Sequence, residues 1–193
     1  MGKMIFFVGG AGAGKTTLAK QIAARRSAAF LDMDTLLRPA AEALMRAAGL
    51  DPLDRDSADY KRLCRDLGYR ITMDAALENV SLGTDVCIVG PFTREIADPD
   101  WIAGELGRGG NAIGQENVKA IRVYLADETL YRARIEQRGS GLDRWKLDHW
   151  ETFRKGLAPT PIAWPLPDGN ILDFDNSLPL TEQRLNEVIR WID

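Results

Sequence analysis

The fold is decided by an octapeptide near the start of the chain, Gly9-Gly10-Ala11-Gly12-Ala13-Gly14-Lys15-Thr16. It matches the pattern GxxxxGK[ST], in which glycines let successive backbone N–H groups turn inward towards phosphate oxygens. The buried-strand pattern at 4–8 precedes it and a helical pattern at 16–25 follows, which places the loop at the positive end of a helix. In such a loop the lysine adds a positive charge at the β- and γ-phosphates, and the threonine hydroxyl is a Mg²⁺ ligand.

A second glycine-rich pattern, GxGxxG, binds dinucleotides and has to be weighed against this one. If it started at Gly10, glycine would be needed at Lys15, and if it started at Gly12, glycine would be needed at Thr17. Neither position is glycine, so the sequence disfavours a dinucleotide-dependent dehydrogenase. Because a strand and a helix flank the octapeptide, it is also unlike a simple glycine-rich turn.

The composition predicts one soluble globular domain spanning residues 1–193. Of the 193 residues, 45% are apolar, and 25 Lys+Arg against 28 Asp+Glu give a net charge of −3. This balance excludes a disordered chain and argues against a general nucleic-acid binder or a protein held on an anionic membrane. The two cysteines, Cys64 and Cys87, form no disulfide framework or metal-ligand spacing, so we expect a cytoplasmic protein.

Strand and helix patterns alternate along the chain, which predicts an α/β fold with a parallel sheet. We expect further strands at 28–31, 85–89, 118–125 and 170–174 and further helices at 127–137, 142–155 and 180–189. Asp127 is the expected cap of the first of these helices. A glycine-rich stretch, 104–114, precedes the fourth strand. The helical stretch from Leu36 to Leu82, broken at 49–52, is too long for a simple crossover. We therefore predict that it is an insertion that helps to form a substrate pocket.

Two carboxylates follow the predicted second strand, Asp32 and Asp34. The third strand ends in Gly90-Pro91-Phe92, without a carboxylate, so the acidic partner of the phosphate loop is expected after the second. Residues i and i+2 of an extended chain point the same way, which directs both side chains into the crevice at the carboxyl end of the sheet. Asp32 would then hold Mg²⁺ through water and Asp34 would orient and deprotonate a hydroxyl; the alternative is that Asp34 only caps a helix.

These residues resemble the small P-loop kinases grouped around shikimate kinase, gluconate kinase and the chloramphenicol-phosphotransferase-like enzymes. Asp32-Met33-Asp34, the loop 90–94 and the segment 134–144 stand where those kinases have a D-x-D, a glycine-containing loop and an arginine-bearing lid. The segment 138–147 is also similar to the lid of uncharacterised predicted ATP-binding kinases. The resemblance implies a three-layer P-loop fold with a five-stranded parallel sheet in the order 2-3-1-4-5.

The lid region, Arg132 to Lys155, contains seven basic and four acidic residues, a surplus that suits a triphosphate. The resemblance implies that Arg134 stacks on adenine and that Arg138 or Arg144 reaches the phosphates. It also implies that the loop after the fifth strand, with Asn176, Leu178 and Pro179, binds adenine, and we expect Thr93 and Arg94 to contact the acceptor.

We therefore predict an ATP- and Mg²⁺-dependent phosphotransferase that moves the γ-phosphate to a hydroxyl of a small metabolite or an antibiotic-like acceptor. The nucleotide would be held by Gly9, Gly10, Ala11, Gly12, Ala13, Gly14, Lys15, Thr16, Thr17, Arg134, Asn176, Leu178 and Pro179. The metal would be held by Thr16 and Asp32, and the acceptor by Asp34, Thr93 and Arg94. The catalytic residues would be Lys15, Asp34, Arg138 and Arg144.

Two alternatives remain open. A nucleoside monophosphate kinase needs arginines around a phosphate acceptor, and the insertion offers Arg38, Arg46, Arg62 and Arg65. The paired aspartates would repel such an acceptor and favour a hydroxyl. The other alternative is a nucleotide-dependent regulator, although the N/T-K-x-D sequence typical of GTP-specific proteins does not follow Leu125.

Overall fold

The computed structural model describes residues 2–110 and 113–193, with the backbone alone at Leu142. Its centre is one parallel sheet in the order β2-β3-β1-β4-β5. The strands are β1 (Met4–Val8), β2 (Ala29–Asp32), β3 (Val86–Val89), β4 (Val118–Tyr124) and β5 (Ile171–Asp175). The predicted strand order is therefore confirmed.

Helices cover both faces of this sheet, which explains why its central strands are continuous apolar runs. The helices are α1 (Lys15–Arg26), α2 (Met33–Ala47), α3 (Ala58–Ser81), α4 (Trp101–Arg108), α5 (Thr129–Arg138), α6 (Arg144–Asp148), α7 (Trp150–Phe153) and α8 (Glu182–Ile192). Ile5 and Phe7 pack on the side of α1, α5 and α8, whereas Phe6 and Val8 pack on the side of α3 and α4. All five residues of β1 are fully buried, so the loop that follows this strand starts from the centre of a three-layer structure.

The predicted insertion is present as a helical hairpin of α2 and α3. Leu37, Ala41 and Met45 of α2 form a small core with Cys64 of α3. The loop 48–57 joins the C-terminal end of α2 to the N-terminal end of α3. Helix α2 begins at Met33, three residues earlier than the pattern predicts, because Asp32 ends the strand and caps the helix at once.

Three local predictions differ from the structure. The single helix expected at 142–155 is instead α6 and α7, which are separated at His149, where the backbone leaves the helical region with φ −118° and ψ 39°. The glycine-rich stretch contains the end of α4, whose apolar Ile102 and Leu106 face the core. Helix α5 begins at Thr129 after Glu128, although the Asp127 carboxylate does accept a hydrogen bond from the Thr129 N–H.

Within the described ranges, no helix combines the length and the apolar character needed to cross a membrane.

Candidate active site

The phosphate-loop motif forms a tight turn between β1 and α1, and two of its glycines are required by geometry. Gly14 is the cap residue of α1 with φ +90°, and a Cβ there would lie 2.3 Å from Nδ2 of Asn176. Gly9 has φ +133°, and a Cβ there would lie 2.1 Å from the Val123 carbonyl oxygen. Only glycine adopts these conformations at little cost and leaves room for the neighbouring strands. The loop is thereby held against β4 and β5.

The loop after β5 supports the phosphate loop from the other side. Buried Asn176 donates from Nδ2 to the Ala13 carbonyl at 2.8 Å, and Arg134 donates to the Asn176 carbonyl at 2.8 Å. Two of the residues predicted to hold the base are therefore brought to the phosphate loop. Leu178, with 66% of its surface exposed, and Pro179 offer an apolar surface in the same loop. Their contact with adenine stays a prediction.

Lys15 lies at the centre of the candidate site. Its ammonium group donates to the Gly10 carbonyl at 2.8 Å. Burial lowers the pKa of Lys15 to about 8; the nearby negative charges of Asp34 and Asp32 oppose that shift, and the positive charge of Arg138 adds to it. These influences show that the insertion and the lid both bring charged groups close to this lysine.

Thr16 and Asp32 form a pair of oxygen donors beside the lysine. The Thr16 hydroxyl donates to Oδ2 of Asp32 at 3.1 Å, while Oδ1 of Asp32 accepts from the backbone N–H groups of Asp34 and Thr35. A hydroxyl and a carboxylate suit Mg²⁺, which takes few protein ligands when phosphates and water supply the others. The residues therefore fit the predicted metal, although the described part of the chain has no group of three or more His, Cys, Asp or Glu placed so that it could hold a metal ion on its own.

Asp34 lies in the first turn of α2, so the expected extended arrangement of Asp32 and Asp34 is wrong, and Asp32 is the capping residue. The structure nevertheless keeps Asp34 in the crevice, because the helix begins where the strand ends. Solvent reaches its carboxylate, yet surrounding protein raises its pKa, and the negative charge of Asp32 raises it further. The positive charges of Lys15 and Lys146 act in the opposite direction.

The lid contributes a compact ion-pair cluster that the sequence did not reveal. Asp143, only 2% exposed, accepts from Nε of Arg138 at 2.8 Å and from Nζ of Lys146 at 2.8 Å. Arg138 is one of the predicted catalytic residues, whereas Lys146 and Asp143 were missed because nothing in their spacing distinguishes them from surface charges. Arg144 has an 87% exposed side chain that pairs with Asp148 at 3.7 Å, and its action on phosphates stays a prediction.

The loop after β3 brings Thr93 and Arg94 to the carboxyl end of the sheet, where both are exposed. Phe92, just before them, is fully buried and has a left-handed backbone with φ +47°. A Cβ at position 90 would lie 2.7 Å from the Phe92 ring, so Gly90 permits this turn. Strained residues of this kind are typical of functional sites. The contacts of Thr93 and Arg94 with an acceptor stay a prediction.

A cavity of about 340 Å³ lies between the loop of the insertion and the lid, and its lining includes Leu53, Arg55 and Trp145. Arg55 stacks on Tyr60 at 5.1 Å from the ring centroid. Burial raises the pKa of Tyr60 to about 12, and the charge of Asp34 contributes to this shift, so the tyrosine faces the same crevice. Sequence reasoning missed these residues because loop 48–57 meets the lid only in the folded chain.

Comparison with known proteins gives the family. Residues 4–160 match the model described as an AAA domain. The chain belongs to this family. No curated protein matches the sequence.

Solved structures share the fold of this AAA domain at low sequence identity. An unliganded sugar kinase from Janibacter sp. is 17% identical with a TM-score of 0.62, covering 100% of this chain and 95% of that one. An APS kinase from Mycobacterium tuberculosis, in complex with AMPPNP and APS, is 17% identical with a TM-score of 0.57, covering 99% and 97%. A gluconokinase from Sinorhizobium meliloti is 15% identical with a TM-score of 0.53, covering 99% and 89%. The fold of small P-loop kinases is thereby confirmed.

Proposed function

We propose that this AAA domain is an ATP- and Mg²⁺-dependent kinase that phosphorylates a hydroxyl group of a small acceptor molecule. One observation carries the proposal: Lys15 of the phosphate loop, Asp34 of the insertion and Arg138 and Lys146 of the lid are close enough to alter one another's ionisation. Asp32 is assigned to Mg²⁺, so Asp34 is a second carboxylate beside the phosphate-binding lysine. A kinase uses such a carboxylate to accept the proton of the acceptor hydroxyl.

The nucleotide side of the site is formed by the phosphate loop and its supports. The backbone N–H groups of the loop and the ammonium group of Lys15 would bind the β- and γ-phosphates. Thr16 and Asp32 would hold Mg²⁺, which neutralises charge on the phosphates when it is bound. Arg138 and Lys146 would stabilise the charge that spreads over the transferred group.

Asp34 is the proposed base on the acceptor side. Burial and the negative charge of Asp32 raise the pKa of Asp34, which makes its ionised form a better proton acceptor than an ordinary aspartate. The acceptor hydroxyl would give its proton to Asp34 as its oxygen forms a bond to the γ-phosphorus and the bond from that phosphorus to the β,γ-bridging oxygen breaks. ADP leaves with the bridging oxygen, so atoms and charge balance.

The arginines of the insertion favour a hydroxyl acceptor over a nucleoside monophosphate. Arg46 pairs with Glu42 and Arg62 with Asp59, and both arginines are mostly exposed. Arg65 is bound to Glu95. A second phosphate would have to displace these acidic partners, whereas Arg38, the fourth candidate, is exposed. The names of the sugar kinase, the gluconokinase and the APS kinase support a small acceptor but do not select one.

The test measures ATP turnover by purified protein with pools of sugars, antibiotics and nucleosides, and Lys15→Ala serves as the inactive reference. With the stimulating acceptor, Asp34→Asn should lower kcat by about 10²-fold to 10⁴-fold, because the general base is lost. ATP affinity should stay within a few-fold of the parent value, since the proposed role is on the acceptor side.

The matched control is Asp59→Asn, since Asp59 occupies the first turn of α3 as Asp34 occupies that of α2. It should leave kcat unchanged. Unchanged turnover in Asp34→Asn would remove Asp34 from the mechanism. If the protein binds Mg-ATP but no pool raises turnover above that of Lys15→Ala, the protein is a nucleotide-dependent regulator instead.

A further inference from the structure

The loop after β3 presents two exposed residues between two buried ones. Thr93 and Arg94 are exposed, whereas Phe92 before them is fully buried and Glu95 after them is only 6% exposed. The exposed pair is the part of this loop that is expected to contact the acceptor. The contacts of Phe92 and Glu95 therefore decide where that pair lies.

Glu95 is held through both its side chain and its backbone. Arg65 of α3 donates to its Oε1 at 2.6 Å, and the hydroxyl of Tyr69, one turn further along the same helix, also donates to this carboxylate. Arg65 lies over the ring of Tyr69, 4.8 Å from its centroid, so the two donors contact each other. The indole N–H of buried Trp164 donates to the Glu95 carbonyl at 2.7 Å. Glu95 thus joins the loop after β3 to α3 and to the segment before β5.

Phe92 is held in a conformation that few residues other than glycine adopt. Its backbone has φ +47°, and such strain persists only where the surroundings fix the residue. The rings of Phe6, Tyr69 and Trp101 enclose its own ring, with centroid distances of 5.2 to 5.7 Å. Its backbone also donates a hydrogen bond to the Tyr69 hydroxyl. Tyr69 therefore contacts the residues at both ends of the exposed pair.

The buried pair of Arg65 and Glu95 is a costly way to stabilise a fold. Removing two charges from water costs about as much as their attraction returns, and apolar residues of similar volume commonly stabilise as well. A guanidinium and a carboxylate do, however, meet in a defined orientation. The pair is therefore better explained by the residues whose position it fixes than by stability.

We propose that Glu95, held by Arg65 and Tyr69, is a positioning residue that fixes Thr93 and Arg94 for binding of the acceptor. This role rests on the proposed function, because it concerns the acceptor of that reaction. Glu95 itself would not touch the acceptor, since its carboxylate is already bonded to α3. A pair that is fixed in advance loses less freedom when the acceptor binds, which lowers the KM for the acceptor.

The first variant is Glu95→Gln, which keeps the size of the side chain but offers one neutral oxygen to two donors. It should raise the KM for the stimulating acceptor by about tenfold, whereas kcat and the KM for ATP should stay within about threefold of the parent values. The matched control is Glu105→Gln, because Glu105 also pairs with an arginine of α3 at 2.6 Å. This control should leave the KM for the acceptor unchanged.

Hydrogen exchange of the protein without acceptor tests the anchoring separately from the reaction. The Ile96 N–H donates to the Phe92 carbonyl at 2.9 Å, and the turn therefore protects this amide. Exchange in the peptide 91–97 should be about tenfold faster in Glu95→Gln than in the parent protein or in Glu105→Gln.

A second variant keeps the test decisive if Glu95→Gln does not fold. Tyr69→Phe keeps the ring beside Phe92 and removes only the hydroxyl, so it should give the same changes in exchange and in the KM for the acceptor. Its control is Tyr131→Phe, because the Tyr131 hydroxyl likewise holds a loop, accepting from the Leu125 N–H at 3.0 Å. The control should leave the KM for the acceptor unchanged.

A combined variant separates positioning from a general structural effect. With Thr93→Ala and Arg94→Ala present, adding Glu95→Gln should change the KM for the acceptor by less than about twofold, because no side chain is left to position. The inference is overturned if the single variants leave exchange or the acceptor KM at parent values. It is also overturned if kcat and the KM for ATP change as much as the acceptor KM, or if the full effect persists in the combined variant.

Failure of this inference differs from failure of the proposed function. A parent protein that no acceptor stimulates refutes the proposed function and the role of Glu95 together. A parent protein that an acceptor stimulates, with Glu95→Gln and Tyr69→Phe kinetically equal to it, refutes the role of Glu95 alone.

Discussion

Replacement of Lys15 by methionine should make the protein more stable while it abolishes ATP binding. Methionine has nearly the length of lysine but carries no charge. Lys15 is half-buried between the phosphate loop, the insertion and the lid, where burial disfavours its charged form. The variant removes that unfavourable charge together with the group that binds phosphate. Stability and function should therefore change in opposite directions at this residue.

The expected magnitude follows from the pKa of Lys15, which burial lowers from 10.5 to about 8. Each pKa unit corresponds to about 1.36 kcal/mol, so the charged lysine costs at most about 3.4 kcal/mol below pH 8. Solvent reaches part of the side chain, and the variant loses a hydrogen bond to Gly10, so we expect a gain of about 1 to 2 kcal/mol. The lowered pKa of Lys15 already includes its attraction to Asp34 and Asp32, which opposes the effect of burial.

The dependence on pH gives the sign that tests the reasoning. Because the pKa of Lys15 is lower in the folded than in the unfolded chain, the unfolded chain binds the proton more tightly. Folding of the parent protein therefore gains stability from this group as the pH rises from about 8 towards 10.5. Lys15→Met lacks this contribution. The stability difference between variant and parent should be largest near pH 7 and should shrink above pH 8.

Urea denaturation at a series of pH values between 6.5 and 10 measures this difference directly. Lys20→Met, a change at an exposed position of the same helix, controls for the loss of a lysine from α1. Titration calorimetry with Mg-ATP reports the loss of nucleotide binding. A stability difference that stays constant from pH 6.5 to 10 would refute the burial argument, and unchanged ATP affinity would refute the assignment of Lys15 to the phosphates.

Two further substitutions test the supports of the site. Gly14→Ala should destabilise the fold by about 1 to 3 kcal/mol in urea denaturation, because φ is +90° and the new methyl group would meet Asn176. The control is Gly156→Ala, where a methyl group would meet no other atom within 4 Å. Asp143→Asn should lower kcat/KM at least about tenfold while the native circular dichroism is retained, because Arg138 and Lys146 lose the carboxylate that positions them. Kinetics equal to the parent would show that Asp143 only stabilises the lid.

The strands were predictable because each carries its own signal. The central strands β1 and β3 lie between two layers of helices, so they appear in the sequence as unbroken apolar runs, each followed by glycine. The phosphate loop was equally visible, since its function fixes residue types at consecutive positions. Helix α4 was missed because its glycines hid the i, i+4 pair of Ile102 and Leu106.

The crevice was harder to predict because its geometry depends on contacts between distant segments. The expected placement of Asp34 rested on an extended chain after β2, but α2 begins at Met33, three residues earlier than predicted, so Asp34 lies on a helix. Tyr60 and Lys146 act beside Asp34 although 26 and 112 positions separate them from it in the sequence. No local pattern marks such residues, since only the folded chain brings the insertion and the lid together.

Each group proposed to hold Mg-ATP already has an internal partner in this fold. Lys15 donates to the Gly10 carbonyl, Thr16 to Asp32, and Arg138 and Lys146 to Asp143. Three acidic groups, Asp32, Asp34 and Asp143, accompany the cations Lys15, Arg138 and Lys146. Nucleotide binding is therefore an exchange of partners, in which a triphosphate takes over the cations. That exchange leaves the acidic groups without a positive partner unless a cation arrives with the triphosphate. The charges of the crevice therefore favour Mg-ATP over ATP without Mg²⁺ and over Mg²⁺ without ATP.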